Sequence, residues 1–180
     1  VLASAEHPSV QAATEAYVAW VVAQGLARPT AMAMAIACPV TGDAVRMTNH
    51  HWAFSQSGLR AALGLQRLCV LNDFQALALA LPTLPEAELC QVGGGVPQPG
   101  SAKALLGAGT GLGVSGLVFP PGSSSGVPLS GEGGHVSLAA QTQREFDVLA
   151  ILQERYGHVS AERAVSGAGL VDLYHALRRL

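Results

Sequence analysis

Ala102-Lys103-Ala104-Leu105-Leu106-Gly107-Ala108-Gly109-Thr110-Gly111-Leu112-Gly113-Val114-Ser115-Gly116-Leu117-Val118-Phe119 is the stretch on which the fold turns. Gly111, Gly113 and Gly116 match the dinucleotide-binding spacing, but that motif opens a helix, whereas Val114 to Phe119 reads as an apolar strand. No Gly-Lys-Ser/Thr follows, so it is no P-loop. Two strands, Ala102 to Leu106 and Val114 to Phe119, joined by a glycine-rich turn fit the pattern better. Bare backbone N–H groups and the Thr110 hydroxyl would let such a turn approach phosphate oxygens. Glycines needed only to turn and pack explain the letters equally well, and the glycines alone leave both readings open.

Upstream, Ser9 to Ala23 carries a helical period, with Pro8 and Ser9 as start signals and Gly25 as a stop. Ala31 to Ala37 reads as a buried strand, Thr41-Gly42-Asp43 as a turn, and Ala44 to Thr48 as a short strand. Ser57 to Leu63 predicts a helix closed by Gly64. Leu68 to Leu71 predicts a strand running through Asn72-Asp73 into a helix that Pro82 stops. Pro82 to Pro85 is the best internal boundary, with Pro85 at the first position of a short helix. Gly93-Gly94-Gly95 with Pro97, Pro99 and Gly100 makes a loop, and Pro120 to Ser125 a second, exposed one. Thr142 and Glu145 have capping-box spacing ahead of a helix that Gly157 ends, and a last helix starts near Gly169. Strands alternating with helices make the class α/β.

Composition narrows the function. The chain has 180 residues, 49% apolar and 12% charged, about half the charge of an ordinary soluble domain. Its mean hydropathy of +0.34 excludes disorder. The apolar run from Ala31 stops at Pro39, short of the roughly 18 residues a membrane span needs. A net charge of −2 without a basic cluster argues against nucleic acid and against an anionic membrane surface. Cys38, Cys69 and Cys90 cannot all pair and lack metal-site spacing, which points to a reducing cytoplasm.

Three places carry candidate chemistry. One is the glycine turn, Gly109-Thr110-Gly111. The second is Asn72-Asp73, a polar pair at the C-terminal end of a strand, where α/β proteins bind ligands. There Asp73 could take a proton from a hydroxyl, although local sequence alone favours a helix cap. The third is Gly131-Glu132-Gly133-Gly134-His135, where a carboxylate and an imidazole on one loop could bracket adjacent hydroxyls of a polyol. Further metal ligands are lacking nearby in sequence, so no metal site is assigned. Taken locally, Glu162 beside Ser160 and Arg163 is a solvated carboxylate at a helix start. His50 and His51 read as turn residues, and His7, His158 and His175 as surface or packing residues.

In order along the chain stand Ala35-Ile36-Ala37-Cys38-Pro39-Val40-Thr41-Gly42-Asp43, Met47-Thr48-Asn49-His50-His51-Trp52 and Leu71-Asn72-Asp73-Phe74. Gly107 to Gly113, Gly131 to His135, and Gly157-His158-Val159-Ser160-Ala161-Glu162-Arg163 with Ser166-Gly167 follow. Together they resemble the bacterial-type glucokinases, ATP-dependent glucose kinases. The resemblance implies the actin-like, ribonuclease-H-like sugar kinase fold: two domains around a cleft, both incomplete here. Residues 1–83 would be the remainder of the small N-terminal domain, and 84–180 the first part of the large one. It implies that Asp73 is the catalytic base for the sugar 6-hydroxyl. Asn72, Glu132, His135 and Glu162 would bind sugar hydroxyls, and Gly109, Thr110 and Gly111 the ATP phosphates. Glucose, ATP and Mg²⁺ are the implied partners, in the cytoplasm, with homodimerisation at full length left open.

Departures from the family pattern matter too. The Asp-x-Gly-Gly-Thr-Asn phosphate loop that begins the family is absent here, and so is the half of the family that holds adenosine. With Val1-Leu2-Ala3 at one end and an amphipathic pattern running into Leu180 at the other, the expectation is a piece of a larger enzyme, inactive alone. A cysteine-rich zinc motif does not follow His135, which favours the glucokinase branch over other sugar kinases and sugar-responsive repressors of the same fold. A sugar-binding regulator is the alternative; it would add a basic helix-turn-helix and would not need Asp73. A filament-forming relative would need no polyol pocket.

Overall fold

A computed structural model describes residues 6–48 and 50–180; Asn49 and Val1-Leu2-Ala3 of the sequence reading lie outside them. The chain divides into two compact units, Val1–Ala76 and Leu77–Leu180.

The first unit opens with helix α1 (Val10–Ala23), whose N-terminus is capped by the Ser9 hydroxyl accepting from Ala12 N at 3.1 Å. Strand β1 (Ala31–Ile36) is followed by a short antiparallel pair, β2 (Ala44–Arg46) and β3 (Ala53–Ser55), then by helix α2 (Gln56–Ala62) and strand β4 (Arg67–Asn72). β1 and β4 run parallel, in register from Ala31 opposite Arg67 to Ile36 opposite Asn72. Val10, Trp52, Leu59, Leu63 and Leu65 form the core, and Met32, Met34 and Phe54 pack on it.

The Ala31–Ile36 strand is not buried as expected. Its residues alternate between exposed and half-buried, because the strand period of two sends Met32 and Met34 to the core and Ala31, Ala33 and Ala35 outward. β3 was not legible in the sequence. Its three residues acquire strand geometry from pairing with β2.

Helix α3 (Asp73–Ala80) follows β4 directly and carries the division between the units, ahead of Pro82. Two 3₁₀ turns, Leu81–Thr83 and Glu86–Glu88, lie beyond it. Pro85 stands just before the second rather than at its first position.

In the second unit β5 (Lys103–Ala108), β6 (Leu112–Val118) and β7 (Val127–Leu129) form an antiparallel sheet in that order. β5 and β6 are joined by Gly109–Gly111 alone, so the hairpin forms and Gly111, Gly113 and Gly116 open no helix. β7, just beyond the Pro120 to Ser125 loop, is a further strand that no sequence pattern marks. A 3₁₀ turn at Gly133–His135, helix α4 (Gln143–Tyr156), a second 3₁₀ turn at Ala161–Arg163 and helix α5 (Gly167–Arg179) complete the unit. α4 has the expected capping box: Thr142 Oγ1 accepts from Glu145 N, and Glu145 Oε2 accepts from Thr142 N at 3.1 Å. Donation to the Glu145 carboxyl from Gln141 N first, and then from Thr142 N, holds it below its ordinary pKa. α5 starts at Gly167 rather than near Gly169, since the Ser166 hydroxyl caps it by accepting from Gly169 N at 3.0 Å. Val148, Leu152, Val159 and Ala176 make the core between α4 and α5.

Candidate functional site

Parallel pairing brings the ends of β1 and β4 to the same edge of the first unit's two-stranded sheet. There the Asn72 amide donates to Cys38 O at 3.4 Å, while its Oδ1 accepts from Phe74 N at 3.0 Å and Gln75 N at 3.3 Å. Asn72 is therefore the residue that caps α3. Asp73 stands at the first helical position, half-buried, with Oδ1 accepting from Phe74 N at 3.0 Å. Its second oxygen is spared from capping, so the helix-cap explanation belongs chiefly to its neighbour. Cys38 is buried beside it. Burial, and secondarily the negative charge of Asp73, push the Cys38 thiol above its ordinary pKa.

The second unit assembles the remaining candidates around one carboxylate. Glu162 sits in the Ala161–Arg163 turn, too short to present a solvated helix face. Its side chain turns inward instead: Oε2 accepts from Leu112 N, the first residue of β6, at 2.9 Å. Oε1 lies 3.8 Å from His135 Nε2, a pair with Glu162 31% exposed and His135 62% exposed. The glycine hairpin approaches so closely that a Cβ on Gly111 would overlap the Glu162 carboxylate, 3.1 Å from its Cδ. Any larger residue at that position would have to push the Glu162 side chain aside.

Two further contacts fix the hairpin. Gly167 N at the start of α5 donates to Gly109 O at 2.8 Å. A Cβ on Gly134 would run into Leu112 O, and one on Gly133 would run into the Val114 side chain. The Gly133-Gly134 pair therefore lets the loop bearing Glu132 and His135 lie flat on β6. Thr110, Glu132 and His135 are exposed around this point. The outcome is a polar surface where a hydrogen-bonding carboxylate, an imidazole, a second exposed carboxylate and a backbone turn rich in glycine converge.

Sequence reasoning missed what holds the Ala161–Arg163 turn. The Arg163 guanidinium lies over the Tyr156 ring, 4.3 Å from its centroid, and the Tyr156 hydroxyl donates to buried Asp172. Asp172 also pairs with Arg155. The hydrogen bond to Asp172 raises the Tyr156 pKa, the neutral phenol being the donor. No local pattern announces this contact, since it joins α4, α5 and the turn between them. Ser166 and Gly167 were legible only as letters of a motif; the Ser166 cap is a local bond to Gly169 N, and only the anchoring of the hairpin by Gly167 is tertiary. Among the other histidines, His51 Nε2 lies 3.3 Å from Pro8 O and His50 stacks against it, while His158 Nε2 lies 2.9 Å from Ser137 Oγ. Among the described residues, no group of three or more His, Cys, Asp or Glu side chains could hold a metal ion.

A family model for glucokinase matches residues 1–180. The glucokinase of Aromatoleum aromaticum is 54% identical over 175 residues, which is 97% of this chain and 52% of that protein. That of Chromobacterium violaceum is 50% identical over 176 residues, 98% of this chain and 49% of that protein. Among solved structures, a glucokinase from an Antarctic psychrotroph superposes with a TM-score of 0.85 at 36% identity, over 99% of this chain and 54% of that one. The glucokinase of Balamuthia mandrillaris, solved in complex with glucose, shares the fold at a TM-score of 0.62 and 21% identity, over 90% of this chain and 52% of that one. The chain thus spans about half the length of the relatives it matches.

Proposed function

The chain belongs to the glucokinase family, and from that premise we propose that it supplies the sugar-binding and part of the phosphate-binding machinery of an ATP-dependent glucose kinase. The observation that carries this reading is the convergence on Glu162: one carboxylate touches the glycine hairpin and faces His135. A kinase needs a polyol site and a phosphate site side by side.

In this reading Glu132, His135 and Glu162 accept and donate hydrogen bonds to sugar hydroxyls. Asn72 contributes a further amide. The Gly109–Gly111 backbone and the Thr110 hydroxyl face the phosphates of ATP, where closely approaching N–H groups offset negative charge. Magnesium arrives as part of the MgATP substrate, and the chain's own carboxylates are assigned to sugar and proton. Asp73 accepts the proton of the 6-hydroxyl as that oxygen bonds to the γ-phosphorus and the bond from the γ-phosphorus to the bridging oxygen of ADP breaks. The products are glucose 6-phosphate and ADP. Such chemistry asks the protein mainly for positioning and charge stabilisation, with a base to orient the nucleophile. The spare oxygen of Asp73, with α3 capped by Asn72, supports that role.

In this reading residues 1–83 are the remainder of the small domain and 84–180 the first part of the large one, with the division between the two compact units falling at Ala76 and Leu77. Cytoplasmic placement fits the three free cysteines. The test is a coupled assay of glucose 6-phosphate formation from glucose and MgATP, using the full-length protein that carries this segment. Turnover that needs both substrates supports the reading; glucose binding without turnover in that protein refutes it in favour of a sugar-binding regulator.

A further inference from the structure

We infer that Glu162 couples the sugar site to the nucleotide hairpin, so that each substrate strengthens the binding of the other. The inference rests on the proposed roles of those two sites and adds a link between them. A closed circuit of contacts carries it. The hairpin reaches Glu162 through Leu112 N, Glu162 reaches the sugar loop through His135, and that loop returns to the hairpin where Gly134 lies on Leu112 O. A carboxylate rotates as a unit. A sugar hydroxyl donating to one of its oxygens fixes the plane of the other, which holds Leu112 N at the base of the hairpin. The second tether, Gly167 N to Gly109 O, and the bond from Gly109 N to Gly111 O that closes the turn across Thr110 link the tip to the residue next to Leu112. Ordering Leu112 therefore orders the phosphate-facing backbone, and thermodynamic reciprocity makes the effect mutual.

This arrangement predicts that a change confined to the hairpin has a sugar phenotype. An added methyl at Gly111 must displace the Glu162 carboxylate, because it would overlap it, and the backbone there is not in the left-handed region. The experiment measures glucose affinity calorimetrically in the full-length protein without nucleotide, then affinity for a non-hydrolysable ATP analogue with and without glucose. In the wild type, saturating glucose should tighten the analogue by about 5-fold or more, the lower end of ordinary coupling. Gly111→Ala should weaken glucose by a similar factor. In a Glu162→Asp background, where a shorter side chain leaves room, the same change should cost less than about 2-fold, a non-additivity expected only of groups in contact.

Unchanged glucose affinity in Gly111→Ala, with the analogue weakened, overturns the coupling while leaving both assigned sites standing. Unchanged glucose affinity in both Glu162→Asp and Glu132→Gln overturns the sugar assignment and the coupling with it. Should Gly111→Ala fail to fold, the wild type with ¹⁵N-leucine decides: the Leu112 amide resonance must move when glucose is added without nucleotide. A stationary Leu112 resonance at saturating glucose also refutes the coupling.

Discussion

Asp73→Asn separates catalysis from stability more cleanly than any other change at the proposed site. The side chain keeps its size and an acceptor oxygen for Phe74 N, and the cap of α3 remains with Asn72 Oδ1, which already accepts from Phe74 N and Gln75 N. What disappears is a charge at the first turn of a helix, worth about 0.3–1 kcal/mol. At 2–4 °C per kcal/mol for a protein of this size or larger, Tm should fall by no more than about 4 °C. Losing the base should lower kcat by roughly 10²–10⁴, or about 2.7–5.4 kcal/mol of transition-state stabilisation. The KM for glucose should change little, because an amide still hydrogen-bonds a hydroxyl. Thermal unfolding monitored by circular dichroism, alongside the coupled kinase assay on the full-length protein, reads both quantities. The complementary variant, Asn72→Ala, should show the larger loss of stability, about 1 kcal/mol for a lost cap. A kcat for Asp73→Asn within a few-fold of wild type would refute the assignment, and a drop in Tm exceeding that of Asn72→Ala would show that Asp73 is the cap after all.

Glu132→Gln and His135→Ala should each raise the KM for glucose by about 5- to 150-fold, the cost of leaving a buried hydroxyl unpaired being roughly 1–3 kcal/mol. Thr110→Ala should instead raise the KM for MgATP, and equal damage to both substrates from Glu132→Gln would mean a misassigned loop. Thr142→Ala should destabilise the second unit by about 1 kcal/mol through its capping box. Because Glu145 has a depressed folded-state pKa, its contribution is present above its unfolded pKa and lost as pH falls through the folded one. The Tm difference between wild type and Glu145→Gln should therefore shrink on acidification below the carboxylate range, and a difference constant with pH would contradict the hydrogen-bonded anion. The 180 residues by themselves should give no turnover and should self-associate, since Leu106, Val136, Leu170, Val171 and Tyr174 are all exposed. A monodisperse monomer by light scattering that phosphorylates glucose would refute that expectation.

Much of what near neighbours set was legible in the chain itself. The caps at Ser9 and Thr142, the stop at Gly157, the helix after Asn72-Asp73 and the choice of a hairpin over a helix-opening glycine turn depend on residues a few positions apart. The ordered motifs carried the family likeness for the same reason: each is a short run whose letters stand together. Only the tertiary structure could assign the strands β3 and β7, three residues each, whose extended form comes from a paired edge elsewhere in the chain. It alone divided labour between Asn72, the cap, and Asp73, the spare carboxylate. It also moved Glu162 from a solvated surface to the amide of Leu112, fifty positions away in sequence. A hydrogen bond across that distance leaves no periodicity or cap signature behind. It depends on a turn held by Arg163 over Tyr156 and on glycines thin enough to let the hairpin and the loop meet. Local chemistry wrote the elements, and packing decided where each carboxylate sits.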